Sequence, residues 1–293
     1  MKRLMFLIVI FMTLGACSNS LHDAMEEYQH DMSDIYEADR QLKDLIDSFD
    51  LSIFDRDNEL LNNEELKSEL NDISTMIEDE IIPLHDSISQ QLSMVEVPHD
   101  DISEAHEIFV ESYGVKYEFL NEFDRYVDIS YQSIAKSEEL VRLSQMFIEN
   151  QEIRSEYIES AETDEEIAEI EMLIEQINAN SEELDETARA VQLEITPQEK
   201  QSFIDDTLNP LIEGHIRALN EINLDTDLAI RVRSITLEMY YGYEKYYSER
   251  RDTIYYNDEL ERLQINTILQ LIDVYENLDM EYEENLRNLI EGN

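Results

Sequence analysis

Residues 163–191, TDEEIAEIEMLIEQINANSEELDETARAV, contain the clearest helical pattern in the chain. It opens on Thr163 and reaches Glu166 three residues later, the spacing of a capping box. In that motif the threonine hydroxyl accepts from the backbone N–H of the glutamate, and the glutamate side chain reaches back to the threonine N–H. We therefore predict that a helix begins at Thr163.

Behind this start, apolar or small side chains recur at alternating spacings of three and four residues. Such spacing places them along one side of a helix and is typical of helices that pack in a coiled-coil-like bundle. The predicted seam consists of Ile167, Ile170, Ile174, Ile177, Ser181, Leu184, Ala188 and Val191.

The composition extends this prediction to the whole chain. Only 5 glycines and 4 prolines interrupt 293 residues, whereas strands and nucleotide-binding loops need turn residues at regular intervals. This scarcity disfavours an α/β enzyme and a β-sandwich. The hydrophobic content of 42% is enough to bury a core. We therefore expect an ordered, all-α protein.

Further signals divide the rest of the chain into helices. Residues 196–199, TPQE, repeat the capping signal with proline at the first helical position. Pro83 is expected to kink its helix and Pro210 to bend or end its own, since proline lacks an N–H and clashes with the preceding turn. Two further seams are predicted, at Leu120, Val127, Ile134, Val141 and Ile148, and in a last helix from about residue 225 at Ile268, Leu271, Tyr275, Leu278, Tyr282, Leu286 and Leu289.

These helices are long, and the architecture follows from their length. We expect an elongated antiparallel bundle of five or six long helices. No Gly- or Ser-rich linker divides the chain, so residues 17–293 are predicted to form a single ectodomain. We find no internal repeat of fixed length in the sequence.

The N-terminus has the pattern of an export signal. Lys2 and Arg3 precede an apolar run over 4–14, and residues 14–17 read Leu-Gly-Ala-Cys. A charged start, an apolar run too short to span a bilayer stably and small residues before the cut are typical of secretion signals. The cysteine after the small residues matches a bacterial lipobox. We predict that residues 1–16 are a lipoprotein signal peptide and that Cys17 carries the lipid, a diacylglyceryl group with further acylation such as palmitate.

Charge and cysteine content limit the partners. Cys17 is the only cysteine, so a disulfide, a thiolate metal site and a cysteine nucleophile are excluded. The net charge of −49 becomes −51 once Lys2 and Arg3 are removed. Such a body repels nucleic acid, anionic lipid and polyanionic wall polymers, and it disfavours self-association. We predict a monomer that binds no nucleic acid and is anchored at the outer face of the cell membrane.

Patterns that carry catalysis are scarce. A di-iron bundle needs two Glu-x-x-His pairs; Glu27–His30 supplies one, but the second match, Glu96–His99, contains Pro98 and is not a regular helical pair. The sequence has neither a His-Glu-x-x-His motif nor a Gly-x-Ser-x-Gly elbow. We expect no enzyme, no catalytic residue, no resident metal and no cofactor. Cation binding by clustered carboxylates remains an alternative.

One segment departs from the acidic background. Seven of the 16 tyrosines lie between 240 and 256, and residues 217–262 carry 7 basic and 10 acidic side chains, a net of only −3. On a helix Tyr240, Tyr243, Tyr247 and Tyr255 share about a third of the circumference, which indicates a tyrosine-lined core. The tyrosines outside that stripe and two arginines suggest instead a surface for protein or glycan. These predicted contact residues are Tyr241, Tyr246, Tyr256, Arg250 and Arg251.

The tetrapeptide Glu-Met-Tyr-Tyr at 238–241, behind the lipobox at 14–17, resembles the EMYY-motif lipoproteins of staphylococci and related Gram-positive bacteria. The resemblance implies a membrane-anchored surface lipoprotein and brings no known activity. A looser similarity is to helical lipoproteins described as cell-wall binders, although those are rich in lysine.

Taken together, these observations predict a lipid-anchored extracytoplasmic protein that acts as a non-catalytic binding or scaffolding module. A cation-binding or cation-presenting lipoprotein and a cell-wall-associated binding protein are the alternatives.

Overall fold

The structure is a computed structural model that describes residues 2–54, 63–193 and 195–291, with side chains from Leu21 onward except that of Gln192. Every regular element in these ranges is helical, and the helices pack against one another, which confirms the predicted all-α bundle. Its elongation stays a prediction. The α-helices are α1 (Lys2–Asp47), α2 (Asn63–Met76), α3 (Ile82–Leu92), α4 (Asp100–Glu159), α5 (Asp164–Ala188), α6 (Pro197–Phe203), α7 (Asn209–Glu221), α8 (Asp227–Leu263) and α9 (Ile265–Glu291).

Both predicted capping boxes are confirmed. The Glu166 N–H donates to Thr163 Oγ1 at 3.2 Å, and the Thr163 N–H donates to Glu166 Oε2 at 3.1 Å. Thr196 and Glu199 form the same reciprocal pair, at 3.2 and 2.9 Å. Each box satisfies N–H groups that the first helical turn leaves without a partner. The helices α5 and α6 therefore begin where the sequence predicts.

The prolines follow π-helical turns instead of ending their helices. A single wider turn at Ile77–Ile81 joins α2 to α3, and another at Ile204–Leu208 joins α6 to α7. Pro83 and Pro210 each stand two residues beyond such a turn. A proline ring clashes with the carbonyl four residues earlier, and that carbonyl lies inside the π turn, where the wider spacing makes room. The helical path therefore continues through both prolines.

The chain divides into two compact units. Unit 1 comprises Met1–Asp128 and Leu263–Asn293, and unit 2 comprises Ile129–Arg262, so that unit 2 is inserted between two parts of unit 1. In unit 1, α1 packs along α3 and the π turn before it; in unit 2, α5 packs along α7 and the π turn before it. That residues 17–293 fold as one domain stays a prediction.

The parallel between the units extends to an internal repeat. Several residues recur 127 positions later: Ile77, Pro83, Leu84, Leu92, Asp100, Glu111 and Tyr113 correspond to Ile204, Pro210, Leu211, Leu219, Asp227, Glu238 and Tyr240. Every position that is buried between 77 and 113 is also buried at its equivalent between 204 and 240. Two equivalent side chains also accept a hydrogen bond from a backbone N–H at the start of the next helix. His99 accepts from the Asp101 N–H, and Thr226 accepts from the Ala229 N–H. The prediction that the chain has no internal repeat of fixed length is therefore wrong. The identities are sparse, and the apolar pattern of the repeat is common to amphipathic helices, so the sequence alone does not reveal it.

The predicted seam of α5 is only partly correct. The buried side chains on α5 and the turn after it are Ile170, Leu173, Ile177, Asn180, Leu184 and Val191, together with Glu169. Ile167 and Ser181, which the prediction placed on the seam, are exposed. The buried face is centred nearer to Leu173 and Asn180 than the three-four alternation indicates.

The predicted heptad seam of α4 holds only in unit 1. Leu120 and Val127 are buried and Ile134 is half-buried, whereas Val141 and Ile148 are exposed. A straight helix drifts by about 20° per heptad against a spacing of seven. A strict heptad therefore leaves the packed face after a few turns.

The last predicted helix is wrong as a single element, although its seam is confirmed. Ile268, Tyr275 and Tyr282 are buried at heptad spacing on α9. The chain breaks before them at Gln264, whose φ of 46° lies in the left-handed region. Residues with a side chain rarely adopt that region, and a helix cannot continue through it.

Candidate functional site

The tyrosines of α8 are divided between the core of unit 2 and the surface. Tyr240 is buried with its ring edge-on to His215 at a centroid distance of 5.8 Å, and Tyr243 packs beside Phe147 at 4.5 Å. Tyr247 packs against the same core. Burial raises the pKa of these three tyrosine hydroxyls. They are therefore neutral core groups, as one of the two interpretations predicts.

The tyrosines predicted as contact residues differ in exposure. Tyr241 is 54% exposed. Tyr246 is half-buried, with its ring edge-on to Phe147 at 6.1 Å, and Tyr256 is half-buried edge-on to Tyr255 at 5.3 Å. Tyr255, which the sequence places on the buried stripe, is 46% exposed, so that placement is wrong.

The two arginines do not join Tyr241 on one face. Arg251 donates to Asp205 at 3.0 Å and to Asp252 at 2.8 Å, and these carboxylates raise the pKa of its guanidinium. Arg250 is half-buried. It follows Tyr241 by nine residues, which places it about 180° away around the helix. The five predicted contact residues therefore do not form a single surface.

A smaller set does share the solvent side of α8. Tyr241, Lys245, Tyr255 and Tyr256 fall within about 100° of the helix circumference. Tyr241, Lys245 and Tyr255 are exposed and Tyr256 is half-buried. We call these four residues the α8 outer stripe.

The middle of the α8 outer stripe is held against α4 by ion pairs. Lys245 pairs with Glu139, which also accepts from Arg142 Nε at 2.6 Å. The hydrogen bond from Arg142 and then that from Lys245 lower the pKa of Glu139 to about 2. This carboxylate therefore stays charged over the physiological range.

Gly242 explains how closely α8 approaches α4 beside the stripe. A Cβ at this position would lie 2.7 Å from Phe147 Cε1 and even nearer to Met146 Cε. Only a residue without a side chain fits this contact.

Unit 1 holds a cleft of about 680 Å³ between α1 and α9. Beneath it, Lys116 of α4 is 2% exposed, and its ammonium pairs with Asp39 of α1 at 2.9 Å and Asp279 of α9 at 3.1 Å. Ser112 also donates to Asp279, at 2.5 Å. One buried ammonium thus joins three helices, and both of its carboxylates line the cleft.

A chain of hydroxyl groups runs beside this cluster. Tyr282 Oη makes hydrogen bonds with Tyr28 Oη at 3.2 Å and with Tyr36 Oη, and Tyr28 Oη also contacts His106 Nδ1 at 3.2 Å. Burial raises the pKa of these three tyrosines. The hydroxyls are therefore neutral and fix the rings that form the wall of the cleft.

A second pocket of unit 1, about 720 Å³, lies between α3 and α4. His85 forms part of its wall, with its ring stacked between Tyr113 and Tyr117 at centroid distances of 4.4 and 4.8 Å. Burial lowers the pKa of His85, so its imidazole is neutral near pH 7.

Sequence reasoning identified neither of the two sites in unit 1. Their groups come from helices far apart in the chain, and single carboxylates have no diagnostic value among 70 acidic residues. The available signal is Lys116, which stands at helical spacing among Phe109, Phe119 and Phe123 on the apolar face of α4. A lone lysine in such a row indicates a buried and paired charge.

Two further observations bear on the predicted sites. In the parts of the chain that the structure describes, no three His, Cys, Asp or Glu side chains gather as metal ligands. Cys17, the predicted lipid attachment site, lies among residues 1–20, whose side chains are outside the described set.

Comparison with known proteins places the chain in a family. A family model described as EMYY-motif containing lipoprotein matches residues 1–290. No match is found among curated proteins or among solved structures. No helix of the described ranges is long and apolar enough to cross a bilayer. Lipoproteins are held at membranes through attached lipid. Since the match covers nearly the whole chain and residues 238–241 spell the motif, the chain belongs to the EMYY-motif containing lipoproteins.

Proposed function

We propose that this lipoprotein is anchored through Cys17 at the outer face of the cell membrane and acts there as a non-catalytic binding module for a protein partner. The anchor is supported by the lipobox at 14–17 and by the lipoprotein family. Two or three acyl chains hold a protein stably at a bilayer, whereas one is marginal.

The proposed contact surface is the α8 outer stripe. Tyr241 and Tyr255 are large, exposed aromatic side chains that lie 14 residues apart, about 21 Å along the helix axis. That span suits a standard interface, which buries about 800 Å² on each partner. Exposed tyrosines on one helix side are the observation that carries the proposal, because tyrosine is enriched among the residues that dominate binding energies.

Electrostatics support the same surface. The segment 217–262 has a net charge of −3 in a chain of −49. Like-charge repulsion of an acidic partner is therefore weaker here than elsewhere on the molecule. The Lys245 ion pair with Glu139 fixes the polar centre of the stripe between the two exposed tyrosines.

In-cell crosslinking with mass spectrometry tests the surface. The full chain is compared with a Tyr241→Ala/Tyr255→Ala variant and with a matched Val141→Ala/Ile148→Ala control, which removes equally exposed apolar side chains from α4 of the same unit. A partner held by two tyrosine hot spots should lose at least about tenfold in yield only in the tyrosine variant. Equal capture by all three proteins would contradict the proposal.

The anchor is tested separately. Cys17→Ala should remove metabolic labelling by a palmitate analogue and release the protein from the membrane fraction. Retention of both in the variant would exclude Cys17 as the attachment site. Cation binding and cell-wall binding, the two alternatives, stay predictions.

A further inference from the structure

The pocket between α3 and α4 of unit 1 contains a buried polar group that the protein leaves without a hydrogen bond. His85 is 5% exposed, and neither of its ring nitrogens has a hydrogen-bond partner within the described residues. The nearest carboxylate oxygen to Nδ1, from Asp86, is 3.7 Å away, beyond hydrogen-bond distance. Buried polar groups are nearly always paired, so an orphaned imidazole in a pocket wall needs an explanation.

Unit 2 also has a buried histidine beside a tyrosine, although His215 occupies the repeat position of Ile88 and not that of His85. There the buried His215 contacts Tyr240, the equivalent of Tyr113 in the internal repeat. Its Nε2 lies 3.0 Å from a carboxylate oxygen of Glu183, on the neighbouring helix α5. His85 stacks on Tyr113 and has no carboxylate within hydrogen-bond distance, but it lines a pocket in which a ligand can reach it.

The rest of the lining limits the chemistry of that partner. The polar groups of the lining are the carboxylate of Asp86, the hydroxyls of Ser89 and Ser93 and the imidazole of His106, whose Nδ1 contacts Tyr28 Oη at 3.2 Å, and the lining contains no lysine or arginine. The nearby Lys116 is already paired with two carboxylates. In a chain with a net charge of −49, such a pocket attracts cations and repels anions.

The shape and the apolar walls favour an organic cation over a bare ion. Tyr117 is 44% exposed, and the part of its ring that His85 does not cover supplies apolar surface for a carbon chain. Val95 and Val110 supply apolar wall for a carbon chain. The space beside Gly114 is open, since a Cβ there would meet nothing within 4 Å.

We infer that this pocket binds a small aliphatic amine. One ammonium N–H donates to the acceptor nitrogen of the neutral His85 imidazole, the charge is balanced by Asp86, and the carbon chain lies along Tyr117 and Val110. This site is independent of the α8 outer stripe, which belongs to unit 2.

The test compares three probes with the same five-carbon chain and different end groups: cadaverine, the corresponding diol and glutarate. Calorimetric titration of the full-length protein in detergent should show saturable binding of cadaverine alone. The imidazole nitrogen NMR shifts of His85 should move during that titration. Equal binding of the diol or glutarate, no saturable binding of cadaverine, or unmoved His85 shifts would overturn the inference and leave a bound water as the partner of His85.

Two pairs of variants separate specific binding from general attraction to an acidic protein. His85→Phe should abolish saturable binding, whereas His215→Phe should leave it unchanged. Asp86→Asn should weaken binding by about fivefold, the effect of losing one partly exposed ion pair. The control Glu80→Gln removes the same charge from an exposed position on the π turn and should have no effect.

If His85→Phe does not fold, the comparison of Asp86→Asn with Glu80→Gln still tests the proposed amine site. Equal weakening by Asp86→Asn and Glu80→Gln would mean that the amine binds through bulk charge, and the proposed site would be wrong.

Discussion

Lys116 is the residue on which the packing of unit 1 depends most directly. Its ammonium forms ion pairs with both Asp39 and Asp279. Replacing it by methionine keeps the volume but leaves two poorly solvated carboxylates facing each other. We expect Lys116→Met to lower the free energy of unfolding by about 3 kcal/mol in chemical denaturation.

A second variant shows whether the loss comes from the orphaned carboxylates. Lys116→Met combined with Asp39→Asn and Asp279→Asn removes the charges together and should recover most of the stability. The exposed Arg40→Met, on α1 beside the same cleft, should change it by less than about 0.5 kcal/mol. If the triple variant were less stable than Lys116→Met, charge repulsion would not be the cause.

His85 should make the stability of unit 1 decrease as the pH falls. Burial lowers its pKa below the ordinary value of 6.5, so the unfolded chain takes up the proton more readily than the folded one. Its contribution to stability is therefore complete above about pH 6.5 and is lost as the pH falls.

We expect the free energy of unfolding to fall more between about pH 7 and about pH 5 in the wild type than in His85→Phe. Urea denaturation at both pH values measures this difference. The exposed His22→Phe is the matched control and should keep the wild-type slope. A His85→Phe slope as steep as that of the wild type would show that other groups cause the acid sensitivity.

Replacement of two glycines on neighbouring helices by alanine should change the stability of the protein in opposite directions. Gly242→Ala inserts a methyl group into Phe147 and Met146, and we expect a loss of about 1 to 3 kcal/mol from overpacking. Gly114→Ala meets open space, so alanine should stabilise α4 by roughly 0.5 to 1 kcal/mol through its helix propensity. Thermal unfolding of the two variants measures both, and a stabilising Gly242→Ala would contradict the close approach of α8 to α4.

The elements also show which features a sequence can predict. The boxes at Thr163 and Thr196 are local, since every group involved lies within three residues, and both are confirmed. Burial is harder to predict: Val141 and Ile148 fit the heptad of Leu120 but are exposed, because a straight helix drifts away from a strict spacing of seven.

The candidate sites likewise depend on packing between helices that sequence spacing does not predict. Composition and tyrosine spacing point to α8, but only the packed structure separates the exposed Tyr241 from the half-buried Tyr246. The pocket at His85 depends on contacts between α3 and α4 that no sequence spacing expresses.

For the whole molecule, the acidic charge should make stability depend on salt. A net charge of −49 repels itself in the compact state more than in the expanded one. Raising ionic strength from about 0.01 to about 0.15 M shortens the Debye length from about 30 to about 8 Å. We expect the melting temperature to rise over this range, as calorimetry can measure. Constant or falling values would mean that ion pairs such as Lys136 with Glu249 outweigh the repulsion.

The insertion of unit 2 within unit 1 has a consequence for the order in which the chain acquires its structure during synthesis. Synthesis delivers α1, α2, α3 and the start of α4 first, and then the whole of unit 2. Unit 2 is continuous and can fold as soon as it emerges, since domains generally fold as units from the N-terminal side. Unit 1 has to wait for α9, which brings Tyr275 and Tyr282 into its core. The oldest part of the newly made chain is therefore the last to be completed, and a chain that stops short of α9 has an open apolar core in unit 1.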